Sequence, residues 1–309
     1  MIYDIIGDIH GQADKLIGLL NKLGYHHNGT SFVAPQGHQA IFIGDLLDRG
    51  KRQLDTLQIV FEMIDNHQAL AIMGNHEYNA LAYATKSQHT DAYLRPHNFH
   101  TTTQHQAFLD EVGFGSPLHQ FWLKRLYELP LWLELDTAVF VHACYDKHSM
   151  NFLSPLLSNN RLTADALQQT AQVHSPAFFA LERLLKGIEV RLPQGITMTD
   201  KTGIVRRQAR VKWWINNWQH QPMDLTLFAD NLPKHKLTHL TKELLHFATG
   251  TDKPIFIGHY WLGGTPTILS NQVVCVDYSA GKDGFLTAYR FDSNNPTLSN
   301  DNFVQFIDK

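Results

Sequence analysis

Three short clusters near the start of the chain carry side chains able to do chemistry: Gly7-Asp8-Ile9-His10-Gly11, Gly44-Asp45-Leu46-Leu47-Asp48-Arg49-Gly50 and Gly74-Asn75-His76-Glu77. Two later histidines, His142 and His259, also stand directly after an apolar run or one glycine beyond it. The set offers carboxylate, imidazole and amide oxygen without thiolate, which suits Mn, Fe, Zn, Ni or Co rather than a structural cysteine site. Taken singly, a Gly-Asp after a strand is ordinarily a turn with a capping Asp, and a lone His there is ordinarily structural. Five such clusters at corresponding places on successive apolar runs do not fit that ordinary reading.

The elements that must position these groups are short buried strands. Apolar runs at residues 2–6, 40–43, 69–73, 138–141, 254–257 and 273–276 have the length and composition for them. Between the first three, Leu16, Leu19, Leu20 and Leu23, then Leu57, Val60, Phe61 and Ile64, follow helical spacing. A β-α-β-α-β opening packs helices on a largely parallel sheet, with its ligand crevice beyond the carboxyl ends of the strands. All five polar clusters are therefore expected at one edge. Glycines suit that edge, where a chain turning off a strand needs positive φ or close backbone approach.

Two cations ~3.5–4 Å apart that share a bridging carboxylate can acidify water and clamp a phosphoryl group, two of the needs of phosphate ester hydrolysis. The third need is a proton for the leaving group. The three clusters resemble the G-D-x-H-G, G-D-x-x-D-R-G and G-N-H-E signatures of the phosphoprotein phosphatase branch of the calcineurin-like metallophosphoesterases. Leu129-Pro130 followed by Phe140-Val141-His142 is similar to that family's fourth motif, and Gly258-His259 to its fifth.

The resemblance implies a single domain over residues 1–309 with an α/β fold, a β-sandwich core of mixed sheets flanked by helices, and helical cap insertions at about 80–128 and 146–250. It implies two divalent metal ions, manganese first among the choices, held by Asp8, His10 and bridging Asp45 on one side and Asn75, His142 and His259 on the other. It makes His76 the general acid, Asp48 its orienting partner and Arg49 the phosphate clamp. These roles agree with the chemistry, because a His beside a carboxylate stays protonated to higher pH and Arg presents a planar fork to phosphate oxygens. Glu77 is left between support of the site and a helix N-terminal carboxylate. The implied activity is hydrolysis of phosphate monoesters, on phosphoproteins or small molecules, by a hydroxide bridging the metals.

The alternative is a dinucleoside polyphosphate hydrolase of the diadenosine tetraphosphate type. Gly258-His259-Tyr260-Trp261 and the segment from Cys275 to Arg290 look closer to bacterial members near the symmetrical diadenosine tetraphosphatases. Asp48 tilts the reading toward phosphatase, since those tetraphosphatases often lack the corresponding Asp. The fourth motif departs from the family's His-Gly-Gly, reading His142-Ala143-Cys144, which leaves the backbone path after His142 open. Cys144 is expected to be buried packing. A non-catalytic interaction protein on the same fold is a third reading, against which the intact set of metal-ligand residue types argues.

The intervals 80–128 and 146–250 show helical patterning, with Leu118, Phe121 and Trp122 on one face and Phe178, Leu181 and Leu185 on another. Loops and insertions at the catalytic edge commonly set specificity. Arg206 and Arg210, leading into Trp213, Trp214 and Trp218, are read either as substrate contacts or as an amphipathic helix with a solvated face. Tyr278 is placed near the metals or in the core.

Composition narrows the rest. Over 309 residues, 43% apolar and 18% charged residues describe an ordinary globular chain, and a net charge of -3 gives no footprint for nucleic acid. Two cysteines exclude a disulfide scaffold. No apolar run approaches the ~20 residues that cross a bilayer, so no membrane partner is expected and the cytoplasm is the expected location. Most of the nineteen histidines, including those from His97 to His105, are expected at the surface. The oligomeric state is not legible.

Overall fold

In the computed structural model, which describes residues 1–199 and 205–308, the apolar runs become strands buried on both faces. In chain order the elements are β1 (Ile2–Ile6), α1 (Ala13–Leu23), β2 (His26–His27), β3 (Phe32–Val33), β4 (His38–Phe42), α2 (Gln53–Asp65), β5 (Ala69–Ala71) and α3 (Asn75–Ala84). There follow α4 (Phe99–Val112), α5 (Pro117–Leu126), β6 (Trp132–Glu134), β7 (Val139–Val141), α6 (Lys147–Leu153), α7 (Ala164–Thr170) and α8 (Pro176–Lys186). Then come β8 (Glu189–Arg191), β9 (Met198–Thr199), β10 (Val205–Arg206), β11 (Gln208–Arg210), α9 (Met223–Thr226) and α10 (Lys242–Leu245). The last five are β12 (Ile255–Ile257), β13 (Val273–Cys275), β14 (Asp277–Tyr278), β15 (Phe285–Asp292) and β16 (Phe303–Phe306).

Two mixed sheets face each other. One has the order β14-β15-β1-β4-β5 with β16 on β15, and the other β13-β12-β7-β6. Within the first, β1, β4 and β5 are parallel; within the second, β7, β12 and β13 are parallel. Antiparallel β15 and β6 flank these parallel sets.

Side chains alternate between the two faces of each strand. Ile5, Ile41, Phe140, Phe256, Val274 and Tyr289 fill the space between the sheets. Their neighbours Ile6 and Phe42 turn instead to the layer that contains Leu16, Leu20, Leu57 and Val60 of α1 and α2. Because both faces are covered, the strands read as continuous apolar runs. Phe256 stacks on Phe140 at 5.4 Å between ring centroids in the inter-sheet core, where truncation to Ala costs about 3–5 kcal/mol. At the end of α1, Gly24 takes φ 96° and its N–H bonds to the carbonyls of Leu20 and Asn21, stopping the helix where the leucine stripe ends.

The interval 80–128 is spanned by α4 and α5. In α5 the buried stripe is His119, Trp122 and Leu126, whereas Leu118 and Phe121 are exposed. Both sets obey helical spacing, and packing selected the one displaced by a single residue.

In the interval 146–250 the described residues hold only two short α-helices, α9 and α10, after α8. Beyond it β8 pairs with β11 and β9 with β10, all antiparallel. Val190 and Ala209 point inward while their neighbours Glu189, Arg191 and Gln208 are exposed, which is strand alternation. The segment from Arg206 to Trp218 is therefore no amphipathic helix. Trp213, Trp214 and Trp218 are all buried, and Trp214 and Phe228 pack on Tyr260 at 4.9 and 5.4 Å. These tryptophans build a core and leave no indole face for a ligand. No helix among the described residues is long and apolar enough to cross a membrane.

Candidate metal centre

The parallel strands of both sheets end at one place, and the polar clusters meet there. His142, after β7, donates its Nδ1–H to the carbonyl of Ile43 at 2.7 Å, tying the two sheets together at the mouth of the sandwich. The backbone N–H of His259, after β12, reaches the carboxylate of Asp8, after β1, at 3.0 Å. His76 N–H, in the first turn of α3, donates to Asp45 Oδ1 at 2.9 Å.

Local sequence makes this approach possible. A Cβ on Gly74 would stand 2.3 Å from Asp45 Oδ1, and one on Gly258 would stand 2.1 Å from Asp8 Oδ1. The glycines that precede Asn75 and His259 are thus required by carboxylates pressed against the backbone. Non-glycine residues at positive φ gather here: His10, Asp45, Asp48, Arg49, His259 and Trp261, between 51° and 74°. Such strain collects at functional sites, where the surrounding structure holds it. Glu77 supplies part of that hold. Its carboxylate accepts the N–H groups of Asp45 and Leu46 and that of Gly74, all at 2.8 Å. It is at once the cap of α3 and the brace of the Asp45 loop, so both readings of this residue apply.

Two groups of donor atoms lie within 4.8 Å of one another: His10, Asp45 and His76, and Asp45, His142 and His259. Asp45 belongs to both. His142 Nε2 stands 3.3 Å from Asp45 Oδ1 and 3.3 Å from Asn75 Oδ1. Burial alone would lower the His142 value, but the charge of Asp45 outweighs it and raises it, so Nε2, with Nδ1–H spent on Ile43, is drawn toward carrying positive charge beside two acceptor oxygens. That arrangement asks for a positive charge between them. His10 repeats the pattern, with Nδ1 on the Leu47 carbonyl at 3.0 Å and Nε2 buried without a partner. His259 Nε2 is likewise buried and bare.

Electrostatics agree. Burial, with the like charges of Asp277 and Asp45, pushes the Asp8 carboxyl well above its ordinary range. Burial and the neighbouring His76 push His10 down to about 3. Burial and the charges of Arg210 and His142 also hold His259 well below its ordinary value. At Asp45 burial works against ionisation, but His142 and His76 outweigh it and keep the group ionised. Crowded carboxylates facing bare imidazole nitrogens make a donor set that fits divalent cations.

A family profile for calcineurin-like phosphoesterase matches residues 1–162, more than half of the chain. The chain belongs to that family.

Membership in the calcineurin-like phosphoesterases implies divalent metal ions at this site. Among curated relatives, the chain is similar to the asymmetrical bis(5'-nucleosyl)-tetraphosphatase PrpE of Halalkalibacterium halodurans, 34% identical over 146 residues, 46% of this chain and 57% of that protein. The protein of the same name from Oceanobacillus iheyensis is 30% identical over 151 residues, 48% of this chain and 58% of that one. The chain thus spans somewhat over half the length of these relatives. A solved serine/threonine phosphatase from Saccharomyces cerevisiae, described as similar to human phosphatase PP5, superposes with a TM-score of 0.52 at 15% identity, covering 99% of this chain and 79% of that one. At that identity the likeness concerns the calcineurin-like fold alone.

One member of the first donor group, His76, is itself paired with a second carboxylate. His76 Nδ1 donates to Asp48 Oδ2 at 2.6 Å, and both side chains are buried. Burial alone would lower the His76 value, but the charge of Asp45 and the bond to Asp48 outweigh it and raise the net result. Arg49 projects from the same loop and lies over the Trp261 ring, 3.8 Å from its centroid, a cation–π contact that steers the guanidinium.

Of the residues expected as substrate contacts, Arg206 lies exposed on β10, opposite Met198. Arg210 is half-buried on β11, 3.6 Å from Glu189, with its charge felt at His259. Tyr278 is buried, its hydroxyl accepting the Thr267 N–H at 3.1 Å and its ring against Phe303. Strand alternation turns its neighbour Asp277 toward the site instead, where it accepts the Trp261 N–H at 2.6 Å and acts on Asp8. Asp277 is absent from the residues expected at the site, although a carboxylate at the end of an apolar strand is a visible signal.

The histidines from His97 to His105 are not uniformly at the surface. His105 is buried, with Nδ1 2.7 Å from Asp48 Oδ1. Past His142 the backbone path is now defined. The Ala143 carbonyl accepts from Trp213 Nε1 at 3.2 Å and from the Tyr260 hydroxyl at 3.1 Å. Cys144 is wholly buried, and burial raises its thiol well above the ordinary value.

Proposed function

We propose that this chain is a hydrolase of phosphate monoesters that works with two divalent cations. Asp8, His10 and Asp45 would hold one, and Asn75, His142 and His259 the other, with Asp45 shared. Bound there, such cations supply neutralising charge for phosphoryl oxygens and an acidified water at neutral pH. The donor chemistry suits manganese, iron, zinc, nickel or cobalt.

The observation that carries the proposal is the buried His76–Asp48 pair alongside the shared Asp45. A protonated imidazole fixed by a carboxylate on one nitrogen has its other nitrogen free to give a proton to a departing oxygen. Here that nitrogen, Nε2, faces Asp45 Oδ2 at 3.9 Å. Arg49, pressed on Trp261, is oriented to take two phosphate oxygens and exclude water from one side. Residues 1–309 act as one catalytic unit on this reading, supported by β15 and β16 closing the same sheet as β1.

A second reading, a dinucleoside polyphosphate hydrolase, is supported by the names of the relatives that match the first half of the chain. One panel separates the two. The protein reconstituted with Mn²⁺ is assayed on phosphoserine, phosphothreonine and phosphotyrosine peptides, p-nitrophenyl phosphate and diadenosine tetraphosphate. Preferred turnover of monoesters supports the first reading. Cleavage of the tetraphosphate with monoesters untouched replaces it with the second, and no metal-dependent product from any substrate removes both.

A further inference from the structure

His105 belongs to none of the family's sequence clusters and sits on α4, in the interval that departs most from them. Its ring is enclosed by Tyr83 and Phe108, at 5.3 and 5.2 Å between centroids. Its Nε2 is buried without a partner. Its Nδ1 engages Asp48 Oδ1 at 2.7 Å, while Asp48 Oδ2 takes His76 at 2.6 Å. One buried carboxylate is therefore gripped on both oxygens by imidazoles from two different helices. An apolar side chain would fill the Tyr83–Phe108 pocket without burying a bare nitrogen, so packing alone does not account for an imidazole at this place.

The grip extends along the loop. Asp48 is held at φ 71°, and its N–H donates to Gln53 Oε1 at 2.7 Å. From the same helix as His105, the Glu111 carboxylate accepts the N–H groups of Gln53 and Leu54 at 2.7 and 2.9 Å. The start of α2 carries no side-chain cap of its own, so Glu111 satisfies orphan donors there from outside. Thus α4 clamps the segment 48–54 at both ends, His105 at one and Glu111 at the other.

We propose that His105 is a positioning residue for the hydrolysis, holding Asp48 in place so that Asp48 keeps the His76 ring aimed at the leaving oxygen. This rests on the acid role given to His76 above. It makes α4 part of the proton-delivery apparatus, in addition to any part it takes in covering the substrate. Partners one shell out from the reacting groups are worth roughly 10–100-fold in activity where they fix orientation.

The test uses the Mn²⁺-loaded protein, an alkyl phosphate and p-nitrophenyl phosphate. His105→Leu should lose roughly tenfold in kcat on the alkyl phosphate, nearly nothing on p-nitrophenyl phosphate, and no metal. His105→Asn, which returns an N–H at the place of Nδ1, should regain most of that loss. In a His76→Ala background, His105→Leu should cost nothing further. Equal losses on both substrates, or an independent loss in the His76→Ala background, overturns the proposal. Should the Leu variant not fold, His105→Gln replaces it, since its amide reaches the place of Nε2 and not of Nδ1; equal activity of the Asn and Gln variants overturns the proposal in that case.

If His76→Ala is itself blind to the leaving group, the acid role fails, and the grip is judged without turnover. In the Zn²⁺-loaded protein, the proton resonance of the His76 Nδ1–H should then shift when His105 becomes Leu. An unmoved resonance overturns the grip.

Discussion

Polar and aromatic residues are held in different ways at the strand ends and in the stretch from β8 to α10. At the strand ends each group is fixed by the next, Glu77 holding the Asp45 loop and Asp8 holding the His259 backbone, with buried charges and a run of positive φ angles. In the later stretch Arg206 is exposed, Arg210 stands 3.6 Å from Glu189 and the tryptophans are packed away. Strain and crowded charge are stored where chemistry is proposed. The later stretch pays with apolar burial and reaches the site chiefly through backbone support, Trp213 and Tyr260 gripping the Ala143 carbonyl.

Substitutions at the strand ends should therefore reach turnover, and those in the later stretch should reach stability. The largest effect is expected of Asp45→Asn, which weakens the one carboxylate common to both donor groups. Metal content and turnover should fall together, by about 10⁴-fold or more in rate if several kcal/mol of metal stabilisation is lost. Elemental analysis beside a p-nitrophenyl phosphate assay reads both, and a variant that keeps its metals and its rate would erase the contrast.

Next comes His76→Ala, expected to keep the metals and slow hydrolysis by ~10²–10⁴-fold on alkyl phosphates, and less with good leaving groups. Equal slowing on both substrate types would count against proton delivery. A smaller effect is expected of Glu77→Gln, which replaces one of two carboxylate oxygens serving three backbone N–H groups. It should cost about 1–3 kcal/mol in denaturant unfolding, together with partial loss of activity as the Asp45 loop relaxes.

In the later stretch Trp213→Phe removes one donor from the Ala143 carbonyl but leaves Tyr260 in place. About 1 kcal/mol of stability, or about 2 °C in Tm, is expected with kcat within roughly twofold. A collapse of kcat with stability intact would move that stretch to the chemical side of the comparison.

The smallest effect concerns pH and lies away from the site. Glu134 accepts from Lys147 Nζ at 2.6 Å and the Tyr145 hydroxyl at 2.9 Å. Burial opposes ionisation there, but Lys147 and Tyr145 outweigh it and hold the group below its ordinary 4.5. A depressed folded value means stability that is present above the unfolded value and lost as pH falls through the folded one. Lys147→Met should thus lower stability by less than about 1 kcal/mol at neutral pH and flatten the acid limb below about pH 4.5. Unchanged acid unfolding would remove the pair from the account.

Metal-ligand candidates were legible because each sits within a few residues of a strand end, and strand ends are written locally as an apolar run broken by Gly and a polar group. The local code places Asp8, Asp45, Asn75, His142 and His259 at one edge. It failed for α5, where the stripe through His119 and the one through Leu118 obey the same period and only packing chose between them. It failed again at Trp213, Trp214 and Trp218, since bulky apolar residues suit a helix face and an irregular core equally.

Sequence by itself determined the order of the strands, the types of donor atom and the glycines beside them, because these depend on residues adjacent in the chain. Tertiary structure alone decided that Asp277 rather than Tyr278 faces the site, and that a histidine 57 residues beyond Asp48 grips its second oxygen. Such pairings depend on the rotation and depth of whole elements, set by the summed packing of many side chains, and no spacing along the chain encodes them.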